Sequence, residues 1–295
     1  MVDEELATIY RSPRRRACDE RLLVLTAVGL TGEVVLGEGE FLLQVPRADA
    51  AYALQHLLQY DAENRPPPPP PPPPRAWPYA WVGCVAYFAV LMGVAAALSR
   101  GLVRLDAFDV GELDAARVQA GEYWRAWTAL TLHLDGPHLA ANLLAGVWFG
   151  YLAGRQMGVG TAWLLTVTGA ALANLLEALL GPADHRAVGA STAVFAALGA
   201  MSAYSWREQL GQRLQWARRW GPLIAGVVLL GWTGSSGEGT DVIAHLGGFV
   251  VGAILGATLA LPAVRRRAER VPQWLSGALA LASLALAWAL ALASH

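Results

Sequence analysis

Charge is scarce in this chain. Only 15% of its residues are charged and 55% are apolar, whereas a soluble globular domain carries roughly 25% charged residues. This balance excludes an ordinary soluble domain, and it is far too apolar for a disordered chain. Lysine is absent, so all 22 basic residues are arginine, and the formal net charge is -1. A nucleic-acid binder needs a basic surface that this balance does not supply. There are two cysteines, Cys18 and Cys84, too few for a disulfide framework, and they fall in different regions of the chain, so no bridge between them is expected. No apolar stretch follows the N-terminal charges, so a cleavable leader is not expected. The arginine-only basic set, with abundant Ala, Gly and Leu, suits a GC-rich bacterial genome.

What the sequence does contain divides at a run of nine prolines, Pro66–Pro74. Such a run forms a semi-rigid polyproline II spacer, so residues 66–76 are read as a linker. Residues 1–65 read as a small soluble α+β domain. Cys18, Leu22, Leu25 and Val28 follow helical spacing; Glu33–Leu36 and Phe41–Val45 flank a Gly37-Glu38-Gly39 turn; and Ala53, Leu54, Leu57 and Leu58 mark a second helix. No catalytic constellation occurs in this part.

Beyond the linker lie seven apolar stretches, at about 78–99, 137–154, 159–180, 187–205, 219–234, 242–261 and 273–293. Most approach the ~20 residues that cross ~30 Å of hydrocarbon as helix. The expected fold is therefore an all-α polytopic membrane protein. Six spans over 77–261 form a core, and residues 262–295 add a loop and a seventh transmembrane helix. Residues 100–136, mixed and rich in Trp and acid, are too long for a simple connector. Arginine bias sets the expected orientation. With the N-terminus in the cytoplasm, Arg155, Arg207, Arg213, Arg218, Arg219 and the Arg265–Arg267 cluster all fall inside. The C-terminus is then outside. The expected location is a bacterial inner (plasma) membrane.

Polar side chains in a membrane helix need a reason. The second stretch opens with His138-Leu-Ala-Ala-Asn142, preceded by His133. The fourth opens with Gly189-Ala190-Ser191-Thr192, and the sixth with Ala244-His245-Leu-Gly247-Gly248. Spans two, four and six run in the same direction. His138, Asn142, Ser191 and His245 therefore share one layer, roughly 2–8 Å below the outer boundary at 1.5 Å per residue. A serine hydroxyl needs an adjacent base, usually His, and the resulting oxyanion needs donors. Ser191 and His245 suit a catalytic dyad, since no acid is apparent near His245 on its helix. The Asn142 amide, the His138 ring and the Ser191 backbone N–H could supply those donors. Gly248, Gly252 and Gly256 form a small-residue stripe that permits close helix approach, and Ala193 and Ala197 are expected to face it. Phe195, one turn below Ser191, is placed to pack on the imidazole. His56 and His185 lack such company, and Glu177 reads as interfacial or bonded to a neighbour. This chemistry calls for no metal and no cofactor.

Taken in order, these residues resemble the rhomboid family of intramembrane serine proteases. The likeness spans roughly residues 77–261. It comprises Glu122-Tyr-Trp124-Arg125, His133, His138-xxx-Asn142, Gly189-Ala-Ser191 and Ala244-His245-xx-Gly248-xxx-Gly252. The resemblance implies Ser191 as nucleophile, His245 as base, and His138 and Asn142 in the oxyanion hole. It also implies that Trp124 and Arg125 anchor the first loop in the outer leaflet. The seventh stretch resembles the six-plus-one arrangement of some rhomboids. Two positions depart from the family pattern: Thr192 follows the nucleophile where Gly is usual, and Gly154 stands where Glu is often found. A β-branched residue at 192 is expected to narrow the pocket beside Ser191.

The implied partners are the lipid bilayer and single-span or polytopic membrane-protein substrates, cut near the outer end of a membrane segment. The alternative is a catalytically weak or inactive relative that binds membrane clients. Retention of both Ser191 and His245 argues against it, because a binder needs neither. A transporter would line a path across the membrane, whereas the polar groups here cluster at one depth.

Overall fold

A computed structural model describes residues 5–64, 76–101, 106–210, 216–233 and 241–294. The proline run Pro66–Pro74 lies outside these residues. The chain divides into two units, Met1–Pro73 and Pro74–His295.

In the first unit, the chain runs β1 (Leu6–Ser12), α1 (Arg15–Ala27), β2 (Glu33–Leu36), β3 (Phe41–Pro46) and α2 (Ala50–Glu63). The sheet is antiparallel with order β1-β3-β2. Its register pairs Ala7 with Val45 and Val34 with Leu43. Cys18 and Leu25 of α1, Leu43 and Val45 of β3, and Ala53 and Leu57 of α2 close the core. The period-3.6 positions of both helices thus cover one face of the sheet. Strand β1 was not expected from the sequence. A register irregularity between Thr8 and Tyr10 breaks its alternation, and alternation is what identifies a half-buried strand.

The second unit is built on long helices: α3 (Ala80–Ser99), α7 (Gly136–Met157), α8 (Val159–Leu180), α9 (Ser191–Glu208), α10 (Trp216–Thr233), α11 (Val242–Leu259) and α13 (Gln273–Ala293). Helix α12 (Pro262–Ala268) joins the last two. Among the described residues, α3, α8, α11 and α13 are long and apolar enough to cross a membrane. Helix α9 is not among them, and its surroundings explain why. It packs against α7, α8, α10 and α11, and 12 of its 18 residues are buried. A helix sheathed by other helices can carry Ser191, Thr192, Ser202 and Ser205 without facing lipid. Helix α7 falls short of that apolarity for another reason: it carries His138, Asn142, Arg155 and Gln156 at its two ends.

Helices α9 and α11 meet backbone to backbone. A Cβ on Gly248 would lie 2.5 Å from the Thr192 carbonyl oxygen. On Gly252 and Gly256 it would lie 2.1 Å from those of Ala196 and Ala200. Gly199 answers from the other side, where a Cβ would come within 2.0 Å of the Phe249 oxygen. The stripe therefore faces Thr192, Ala196 and Ala200, one residue off the expected register of Ala193 and Ala197. Ala193 and Ala196 also cluster with Leu130 and Ala170.

Residues 106–131 form a structured loop: α4 (Ala107–Gly111), β4 (Leu113–Asp114), α5 (Ala115–Gln119), α6 (Arg125–Thr128) and a 3-10 turn at Ala129–Thr131. Its centre is Arg125, which is fully buried. The guanidinium donates to Glu122 Oε2 at 2.6 Å, to the Glu112 carbonyl at 3.0 Å and to the Asp109 carbonyl at 2.8 Å. A buried cation is tolerable only with such partners. The loop in turn holds the chain that precedes α9. Strand β4 pairs with β5 (Arg186–Ala187), and Ala115 N–H donates to the His185 carbonyl at 3.0 Å.

Candidate active site

Ser191 is the first residue of α9, with Ala190 as its N-cap. The N–H groups of a first helical turn have no intrahelical acceptor, and the helix dipole adds positive potential there. Two bonds fix the chain just before it. Gly189 N–H donates to the Ala129 carbonyl at 2.9 Å, and Ala190 N–H donates to His133 Nε2 at 3.4 Å. Gly189 has φ +130°, a conformation that favours glycine. A side chain there would also collide with the neighbouring helix, since a Cβ would lie 2.8 Å from His138 Nε2 and 3.6 Å from Asn142 Nδ2. The glycine thus lets His138 and Asn142 come up against the backbone leading into Ser191.

Helix α7 delivers these two side chains. Asp135 caps it by accepting from His138 N–H at 2.7 Å, with Pro137 in the first turn. His138 and Asn142, four residues apart, share a face. Asn142 is buried, and its Nδ2 donates to no acceptor among the described residues. Its backbone carbonyl accepts from Tyr87 Oη at 2.8 Å, which ties α7 to α3. His133 and His138 stack edge to face with centroids 5.1 Å apart. Burial, and then the neighbouring His138, push the His133 pKa down to about 4, against a hydrogen bond to the Thr131 backbone. Neutral His133 is the form whose Nε2 can accept from Ala190.

Helix α11 delivers His245, which is buried in its first turn. The Phe195 ring lies 4.5 Å from the imidazole, tilted by 37°. One turn below, Gly248 sits against Thr192. A Cβ on Gly248 would meet Thr192 Cγ2 at 3.1 Å. The threonine methyl is therefore turned toward α11, and not all its bulk narrows the serine pocket as expected. Trp124 is half-buried beside the fully buried Arg125.

The structure thus brings Gly189, His138 and Asn142 together, Phe195 against His245, and Gly248 and Gly252 against α9. It also adds residues that sequence reasoning missed. Asn174 lines the small cavity that Ser191, Gly189 and Thr192 share, and its Nδ2 donates to the Ala126 carbonyl at 3.0 Å. Asp241 stands at the N-cap of α11, four residues before His245. Its Oδ1 accepts from Ala244 N–H at 2.9 Å and its Oδ2 faces His185 Nε2 at 3.1 Å. An acid is therefore present next to this helix after all. An Asp immediately before an apolar periodic run is an N-cap signature that would have found it. His185, isolated in the sequence, also meets Glu177, at 3.5 Å.

Residues 120–262 match the Rhomboid domain family. Among known proteins, the chain is 29% identical over 154 residues to the rhomboid protease GluP of Bacillus subtilis (strain 168). That alignment covers 52% of this chain and 29% of GluP. RHOMBOID-like protein 1 of Arabidopsis thaliana is 31% identical over 150 residues, 50% of this chain and 37% of its own length. RHOMBOID-like protein 7 of the same plant is 33% identical over 150 residues, 48% of this chain and 44% of its own. The chain thus spans less than half the length of each of these relatives. His133, His138, Asn142, Ser191 and His245 all fall inside the segment that matches the Rhomboid domain family.

Proposed function

We propose that this chain is an intramembrane serine endopeptidase that cuts membrane-protein substrates near the outer end of a transmembrane segment. The observation that carries the proposal is the Asn142 amide. It is buried without an acceptor and lies against the backbone that enters Ser191, as a donor reserved for a charge that develops during reaction would be.

In this reading Ser191 Oγ attacks the scissile carbonyl while His245 takes its proton. The oxyanion is met by Asn142 Nδ2, His138 and the Ser191 N–H. His245 then gives the proton to the departing amine, leaving an acyl-enzyme. Water enters from the outer side, loses a proton to His245 and attacks the acyl carbon; the bond to Ser191 Oγ then breaks as His245 returns the proton to that oxygen, which releases the acid product. Phe195 holds the imidazole plane, and Gly248 and Gly252 keep the two helices close enough for the transfer. Seven helices cross the membrane, with α7, α9 and α11 running from outside to inside and the Arg265–Arg267 cluster inside. Helix α7, α9 and α11 first turns then share the outer layer, within reach of a substrate helix that unwinds there.

Reconstituted protein is incubated with a panel of single-span substrates beside its Ser191→Ala variant, and the new termini are mapped by mass spectrometry. Wild type should yield cuts within a few residues of the outer boundary and the variant none. Substrate that is retained but never cut by the wild type would instead support a client-binding protein.

A further inference from the structure

Glu177, His185 and Asp241 come from three separate segments: the last turn of α8, the loop before β5 and the N-cap of α11. One potential ligand atom from each lies within 4.8 Å of the others. His185 Nε2 is 3.1 Å from Asp241 Oδ2 and 3.5 Å from Glu177 Oε1. The Glu177 side chain is only 7% exposed, and its Oε2 is buried without a hydrogen-bond partner among the described residues. A buried carboxylate oxygen with no donor is costly and calls for a positive ligand. Bonds of about 2.0–2.1 Å around a tetrahedral ion put neighbouring ligand atoms about 3.3 Å apart, which matches the two measured spacings.

The geometry points to a divalent cation site of the zinc class, with Glu177, His185 and Asp241 as ligands and a fourth position for water. One imidazole nitrogen with two carboxylates suits Zn²⁺ better than Mg²⁺, which prefers an all-oxygen octahedral shell. Hydrogen bonds of the fold hold two of the ligands in place. Asp241 caps α11 through Oδ1 and offers Oδ2. The His185 backbone is tied at both ends, its N–H to the Pro182 carbonyl and its carbonyl to Ala115 N–H. The side chains of His185 and Asp241 are 23% and 24% exposed, which leaves an entry path. The His245 N–H bonds the Asp241 carbonyl at 3.1 Å, so an ion here would brace the turn that carries His245.

The test uses tag-free, full-length protein in detergent, treated with EDTA and dialysed. Calorimetric titration with Zn²⁺ should give one equivalent per chain, and Mg²⁺ at the same concentration should give none. Glu177→Gln and His185→Ala should each weaken Zn²⁺ binding at least tenfold while helical circular dichroism is unchanged. A second readout needs no variant: one equivalent of Zn²⁺ should protect His185, but not His56, from carbethoxylation mapped by peptide mass spectrometry. Zn²⁺ binding that survives both substitutions, or His185 modified equally with and without Zn²⁺, overturns the assignment. Two carboxylates and a histidine sharing only a proton would give that second result.

Discussion

A buried amide donor without an acceptor costs about 1–3 kcal/mol, and Asn142 is such a group. In the account proposed here, its partner is the oxyanion. Asn142→Ala should therefore lower kcat by about 10²–10³, the usual loss for one oxyanion donor, without lowering the melting temperature. A variant with unchanged kcat would remove Asn142 from the reaction, and one with reduced kcat only in proportion to lost folded protein would make it structural. His133 carries a different expectation. Its folded pKa of about 4 lies below the ordinary 6.5, so between these values the unfolded chain binds more protons. Stability from this group is thus complete above about pH 6.5 and falls as the pH drops toward 4. His133→Gln keeps an acceptor for the Ala190 N–H but cannot take that proton. Between pH 7 and pH 4.5 its melting temperature should fall less than that of the wild type; parallel curves would show that His133 does not carry the transition.

At the scale of elements, the account depends on how closely α9 and α11 approach. A Cβ at Gly252 would stand 2.1 Å from a backbone oxygen, which cannot swing aside. Gly252→Ala should force the helices apart at a cost of about 1–3 kcal/mol. Turnover should fall further than the loss of folded protein explains, because Ser191 and His245 ride on the two helices. Gly247→Ala is the control: its Cβ would make an ordinary 3.6 Å contact with Ala173, so melting temperature and turnover should stay near wild type. Equal effects of the two substitutions would mean that the stripe does not set the spacing of the site. The stripe itself was legible as a four-residue repeat of glycines, but its partner face was not. Nearly every residue of α9 is small or apolar, so Ala193 and Ala196 read alike in the sequence. Only the close approach of Gly248, Gly252 and Gly256 to the Thr192, Ala196 and Ala200 carbonyls settles which row meets α11.

For the whole molecule, legibility followed the solvent each segment meets. Helices α3, α8, α11 and α13 announce themselves because long apolar runs have few other uses. Helix α9 is less apolar because protein surrounds most of it, and α7 because it carries His138 and Asn142 near its start and Arg155 and Gln156 near its end. The order and direction of the expected spans are enough to put Ser191, His245, His138 and Asn142 in one layer. The Glu177–His185–Asp241 group could not, since its members lie 8 and 56 residues apart and meet only through the loop that β4 and buried Arg125 hold in place. The most direct test of the central claim is the reaction of the full-length protein with a fluorophosphonate. A single phosphonyl group located by mass spectrometry on Ser191, and labelling at least 10²-fold slower in His245→Ala of unchanged circular dichroism, is the predicted result. Labelling on another serine, or an undiminished rate without His245, would contradict it.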